Sequence, residues 1–423
     1  MNQVFKGEKG SALITVLIVM GVLTVLGAAL LHYSLTDNLQ VFNDEKRMQA
    51  HYLARSGAEA VADYIMKNPD GVDELLGKKT EPVELGEGTF QVEVTKRDNG
   101  ELLIESTGDI DDFERKVKLT LKPCSPFDAA LFGIDGITIN GKPGIDGDIA
   151  TNSTEKNKIN MNKNALDEIK GVIKVGPGAD PSNVIHINGG SLPEGKAGNL
   201  DEIKNYSLPS FPEFPDDLVD RGSIENGRID NDGKYSDIIV GNLLTIYTGP
   251  ADEERNIRVG KLKVNGNIVI EGEGKLNLYV DQEFDLNKGS INNEDNVDAL
   301  IMYYKGQNKL KITDGEFYGS IYTATGFLFS GNVIIVGNII SGGIDDKFQC
   351  TGSSSVKGNI YAPNAIINLN GNANIIGAVI AKQIKLNGTG NNDYKIEYNN
   401  DILFPFSDDS STRNTYRIDV WSD

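Results

Sequence analysis

The chain has 423 residues, enough for more than one folding unit and a sizeable core. Its 61 acidic side chains against 41 basic ones give a formal net charge of -20, which excludes a phosphate-binding footprint and so any expected nucleic-acid partner. The 47 glycines are spread between short apolar runs, with no long low-complexity tract, the texture of a β-rich protein.

The first ten residues, MNQVFKGEKG, are polar and carry Lys6 and Lys9. Residues 11–31 then hold no charge and are rich in Leu, Val, Ile and Ala. At 1.5 Å per residue such a segment makes about 30 Å of helix, the thickness of a hydrocarbon core. Lysines precede it, while Asp37 and Asp44 follow it, so the N-terminus is expected in the cytoplasm and the remainder outside. A cleaved secretory signal has a shorter apolar stretch with a small-residue cut site behind it. Here helical patterning runs on through Leu35, Leu39, Phe42, Tyr52 and Leu53, with Ala50, Ala54, Ala58, Ala60 and Ala62 adding propensity. The breaker Asn68-Pro69-Asp70-Gly71 ends it. One helix, half in lipid and half outside, is predicted over 11–68.

The short basic leader ending in Gly10, followed directly by SALITVLIVMGVLTVLGAAL, resembles the class III signal of type IV prepilins. The stretch MQAHYLARSGAEAVA, residues 48–62, resembles the helix of PilX-like and K-type minor pilins. The resemblance covers roughly the first seventy residues. It implies a prepilin peptidase cutting between Gly10 and Ser11, with the apolar helix kept in the mature protein. It also implies other pilin subunits and the pilus assembly machinery as partners. Gly21, Gly27, Ala28 and Ala29 are the small residues expected to let neighbouring helices approach. Thr15 stands at the fifth mature position, where major pilins carry Glu; the departure implies a minor, tip or initiating subunit.

Residues 69–122 alternate apolar and polar side chains in 89–95, 102–106 and 113–121, with turns at Asp98-Asn99-Gly100 and Gly108-Asp109. A three-stranded antiparallel meander is predicted. Pro123 and Pro126 mark its end.

Residues 123–423 carry an irregular repeat. One signature is apolar-x-apolar, a small polar residue, then Gly, as in Ile137-Thr138-Ile139-Asn140-Gly141 and its echoes ending at Gly189, Gly266, Gly371 and Gly388. A second, Gly-x-Ile/Val-x-small, begins at Gly147, Gly319, Gly337, Gly358 and Gly377. The two are locked six residues apart at Gly141/Gly147, Gly331/Gly337, Gly352/Gly358 and Gly371/Gly377. Recurrence at about twenty residues marks a solenoid, since one rung cannot bury its own apolar side. A single-stranded parallel β-helix is therefore predicted, with Cys350 inward. A Pro-rich insertion over 192–237 is expected to loop out between rungs, and the end of the chain, 401–423, to cap the coil through the strand at 415–421. The fold class is mainly β with a long N-terminal α-helix, a small meander and this solenoid.

β-Helices include polysaccharide lyases and hydrolases, which need two carboxyls across a cleft. The candidate acids Asp146 with Asp148, Asp216 with Asp217, and Asp345 with Asp346 all fall in apparent corners, where carboxylates are ordinarily solvated. Asp230-Asn231-Asp232-Gly233 with Asp237 hints at a calcium loop but fails the EF-hand spacing. Cys124 and Cys350 lie far apart in sequence, His32, His51 and His186 are scattered, and two separate thiols are expected in place of a disulfide. No catalytic residue, metal or cofactor is nominated. The sequence reads as a non-enzymatic, membrane-anchored structural subunit. The alternatives are an anchored adhesin or polysaccharide-binding module, or a tethered polysaccharide lyase or hydrolase.

Overall fold

A computed structural model describes residues 11–97, 100–344, 347–405 and 415–422. The leader with Gly10, the Asp98-Asn99 turn and the Asp345-Asp346 pair lie outside the described residues. The chain divides into two units, Met1–Pro123 with Tyr416–Asp423, and Cys124–Thr415.

In the first unit, α1 runs without interruption over Ser11–Lys67, 57 residues. It stops at Asn68, whose backbone and side-chain amides both donate to the Tyr64 carbonyl (2.8 and 3.1 Å); Pro69 then begins a short 3-10 turn. The sheet is larger than the predicted meander. Strands β1 (Val83–Leu85), β2 (Gly88–Lys96), β3 (Leu102–Ile110) and β4 (Phe113–Cys124) lie in that order, and the C-terminal strand Thr415–Ser422 is fifth, beside β4. The strand over 415–422 therefore completes this sheet and does not cap the solenoid, whereas residues 401–405 stay with the solenoid unit, where Asn338 and Asn359 donate to the Leu403 and Ile402 carbonyls. The strand's Tyr416 and Trp421 pack against the core formed by Ala58, Ala62 and Ile65 of α1 with Val92, Val94, Leu102, Ile104, Leu119 and Leu121. That apolar burial is a stronger pull than pairing with a corner-rich coil edge.

The second unit is the predicted solenoid. Its 22 strands form one sheet in which the solenoid pairings are parallel, and each regular coil has three segments, as in Ile360–Ala362, 366–370 and Asn372–Ile376. One inward line of register partners runs Ile257, Leu278, Met302, Ile321, Ile339, Ile360, Val379, Leu131, Ile149 and Ile173, every member buried. Each such side chain contributes about 1.5–3 kcal/mol on leaving water, so the stack, not any single coil, holds the unit together. The six-residue glycine spacing now has a cause. The two glycines bracket the third segment of a coil, and corners of successive coils sit directly on one another. The Asn before the corner glycine joins a ladder as well: Asn140 donates to Asn387 (3.0 Å), and Asn387 to Asn370 (3.0 Å).

Coil order departs from sequence order. The coils of 131–199 do not begin the stack; Leu131–Asp146 pairs with Val379–Glu397, the last strand before the chain leaves the solenoid. The first coils thus extend beyond the last ones. The chain crosses between the two ends through residues 200–222, which contain no strand. Within the expected insertion 192–237, Ala197–Asn199 and Ser223–Ile229 are coil strands, so the irregular part is shorter than predicted and spans the stack instead of looping out between two rungs.

This strap lies on an outward ladder of aromatic and aliphatic partners: Tyr279, Tyr303, Tyr322, Ile340, Tyr361, Ile380 and Phe132. Tyr206 meets Phe132 edge-on at 4.8 Å, Phe211 meets Tyr322 at 4.9 Å, and Phe214 meets Tyr279 at 5.0 Å between ring centroids. The Tyr361 hydroxyl donates to the Ser207 carbonyl (2.7 Å) and that of Tyr322 to Pro209. A second apolar core, outside the coil, results.

Candidate functional site

The two halves of α1 have opposite surroundings. From Ala50 onward the helix packs: Ala50, Leu53, Ala54, Ala58, Ala62 and Ile65 are buried, at the three- and four-residue steps of one face. The alanines, noted in the sequence for propensity, let the sheet come close. A Cβ on Gly108 would lie 2.2 Å from the Ala50 carbonyl oxygen, and one on Gly88 2.4 Å from a Leu53 methyl. Ala60 faces solvent.

The first half is uncovered. The large apolar side chains from Leu13 to Leu35 are exposed, and exposure continues through Leu39, Val41 and Phe42. Of the five apolar positions that continue the helical pattern beyond the span, only Leu53 is buried; Leu35, Leu39, Phe42 and Tyr52 are exposed. This is a helix long and apolar enough to cross a membrane. Ser11 is its first residue. Thr15, Gly21, Ala28 and Ala29 are exposed and Gly27 half-exposed. Gly21 and Ala28, two turns apart, share one face, whereas Gly27 and Ala29 are turned about 100° to either side of it. The small residues therefore make one short pair and two flanking notches, not a single groove. Neither Gly21 nor Gly27 has an atom within 4 Å of the place a Cβ would take. Thr24 and Thr36 donate their hydroxyls to the carbonyls four residues back, Met20 (2.7 Å) and His32 (2.9 Å), which makes them compatible with an apolar surround.

The candidate acids in the solenoid are engaged separately. Asp146 pairs with Lys170 (2.6 Å), and Asp148 with Lys174 (2.8 Å) while accepting from the Val172 amide (2.9 Å). Asp216 pairs with Arg258. In the calcium-like stretch, Asp230 pairs with Arg228 (2.6 Å) and Asp232 with Arg255 (2.8 Å). Among the described residues, no group of three or more His, Cys, Asp or Glu side chains could hold a metal ion. Both cysteines are free. Cys350 lies inward between its register partners Phe329 and Leu369, and burial pushes its thiol far above the ordinary value. Cys124 is also buried, with its sulfur 3.1 Å from the Thr415 hydroxyl.

The family described as a domain of unknown function (DUF7305) matches residues 216–347 and 330–402, a little under half the chain and all within the solenoid unit. No curated protein matches the chain. Among solved structures, the competence-associated pilin ComZ from Thermus thermophilus aligns at 10% identity over 89% of this chain and 97% of its own, with a TM-score of 0.23. So low a score does not establish a shared fold.

Sequence reasoning missed the residue that secures the strap. Arg258 grips Asp281 with two hydrogen bonds (2.9 and 3.1 Å), donates to the Pro215 carbonyl (3.1 Å), pairs with Asp216 and lies over the Phe214 ring. The available signal was register. Arg258, Tyr279, Tyr303 and Tyr322 each follow an inward aliphatic residue by one position, so they had to share one outward line.

Proposed function

We propose that the chain is a minor-pilin-like structural subunit of a type IV pilus or related secretion filament. In this reading the exported units are anchored by α1 and the solenoid is displayed at the cell surface. The observation that carries it is the split character of α1, one continuous helix that is wholly uncovered and apolar at one end and packed on its own sheet at the other. A secretory signal would not continue as a structural element of the folded unit, and a core helix would not leave over 20 apolar-rich residues bare. The prepilin-like leader and the 48–62 segment supply the specificity toward PilX-like and K-type subunits. Processing falls between Gly10 and Ser11, the N-terminus faces the cytoplasm, and residues 12–31 pack among other pilin helices, with Gly21 and Ala28 as the closest point of approach. Thr15 in place of an acid fits a tip or initiating position.

The solenoid acts here as a non-catalytic display domain. The separate capture of Asp146, Asp148 and Asp216 by Lys170, Lys174 and Arg258 supports that view, because a hydrolytic pair needs two carboxyls facing one bond. The test is the mature N-terminus in a native membrane preparation, read by mass spectrometry. It begins at Ser11 in the wild type, and Gly10→Val leaves the leader attached. A freely soluble product trimmed beyond residue 31 overturns the proposal.

A further inference from the structure

The first unit has an unfinished edge. β1 is the outermost strand of the five-stranded sheet, paired only with β2 in the register Val83 with Phe90 and Leu85 with Gly88. Cross-strand partners share a face, and Gly88 faces α1 closely enough that a Cβ there would strike Leu53. Val83 and Leu85 therefore point to the helix side of the sheet, yet they are 44% and 46% exposed, because α1 does not extend over them. Exposed apolar residues on a free edge are what soluble proteins ordinarily avoid. Beside them is an apolar groove of about 280 Å³ lined by Tyr52, Leu53, Leu85 and Ile110 together with Gln49. The Gln49 side-chain carbonyl oxygen is buried and has no hydrogen-bond partner among the described residues. An acceptor in that condition is unfavourable unless a donor reaches it.

The rim is predominantly acidic. Residues 81–87 hold Glu81, Glu84 and Glu87 and no base, and Asp111 and Asp112 follow Ile110. Lys46 bridges Glu87 (3.6 Å) and Asp111 (2.8 Å) at one end. We propose that β1 and this groove form a docking site for an extended, basic segment of a partner protein. The segment adds as a sixth strand, places alternate apolar side chains over Tyr52 and Leu53, and directs the intervening Lys or Arg to the opposite face, where Glu84 stands between Val83 and Leu85. Backbone pairing to β1 supplies the affinity and the alternating pockets the selectivity. The site stands on the edge, the groove and the charge, and does not depend on the filament reading.

The probe is a blocked, fluorescein-labelled heptapeptide alternating Lys and Val, titrated into the full chain in detergent micelles and followed by anisotropy. Hydrogen exchange on the same complex locates the contact. Saturable binding with slowed exchange confined to residues 48–56 and 79–93 is expected. The charge-neutral variant V83S/L85S weakens binding at least tenfold with an unchanged circular dichroism spectrum, and replacing the peptide's Lys by Glu does the same. Non-saturable binding, protection elsewhere, equal affinity for V83S/L85S, or equal affinity for the Glu peptide each overturns the proposal.

Discussion

At the scale of single residues, the corners of the solenoid are fixed by contact distance. A Cβ on Gly358 would stand 1.9 Å from the Gly337 carbonyl oxygen, which belongs to backbone and has nowhere to go. Gly358→Ala is expected to destabilise the solenoid by about 1–3 kcal/mol, read as a lower urea midpoint at unchanged slope. Inside the coil, burial pushes the Cys350 thiol far above 9.0 and the Tyr304 phenol up to about 12. Both groups stay neutral in the folded coil at a pH where the unfolded chain ionises them. Their stabilising contribution is therefore complete below about pH 9 and shrinks as pH rises through the interval between unfolded and folded values. The urea midpoint should fall between pH 9 and 11, and a flat profile would contradict the buried placement. The inward position of Cys350 was legible from its place in the repeat. The hydrogen bonds of Tyr304 to the Asn308 and Gln282 carbonyls (2.9 and 3.3 Å) were not, because they come from a turn and from the preceding coil.

Among the elements, the strap and α1 illustrate two kinds of packing. The strap has no backbone ladder of its own over most of its length, so rings against rings and the Arg258 latch must hold it. Arg258→Ala removes charge-assisted bonds worth about 1.5–3 kcal/mol each net of solvent, and leaves Asp281 without this partner. The expected result is local: protease cleavage within 208–222 becomes rapid while the β signal in circular dichroism persists. Cleavage as slow as in the wild type would show that the aromatic ladder suffices alone. For α1, the sequence identified length, apolarity and end point from Pro69 and the uncharged run. It did not identify which stripe packs, since Leu35, Leu39 and Phe42 fit a helical period as well as Ala50, Ala54 and Ala58 do.

For the molecule as a whole, the order of coils along the stack matters more than their number. The 131–199 coils and the 223–397 coils meet through the parallel pairing of Leu131–Asp146 with Val379–Glu397, contacts between residues some 250 apart in sequence. Such contacts form late and slow folding. The strap joins the two sets but is not what binds them, because the joint itself is a full coil-on-coil ladder. A protease site inserted after Ser210, once cut, should leave a protein that elutes as one species and separates only in denaturant. Two species in native buffer would mean that the strap holds the halves together. The chain leaves the small sheet at β4 and returns to it at the strand beside β4, so the solenoid is a long insertion within the first unit.

The apolar helix, the coil period and the inward residues can be read along the chain, because each is a local pattern repeated at a fixed step. The glycine corners were readable for the same reason. Where the C-terminal strand pairs, which coil follows which, and what the Pro-rich segment covers are settled by the folded chain alone. Those choices are made by partners hundreds of residues apart, and a strand or a strap carries no mark in its own sequence of the surface that will bury it.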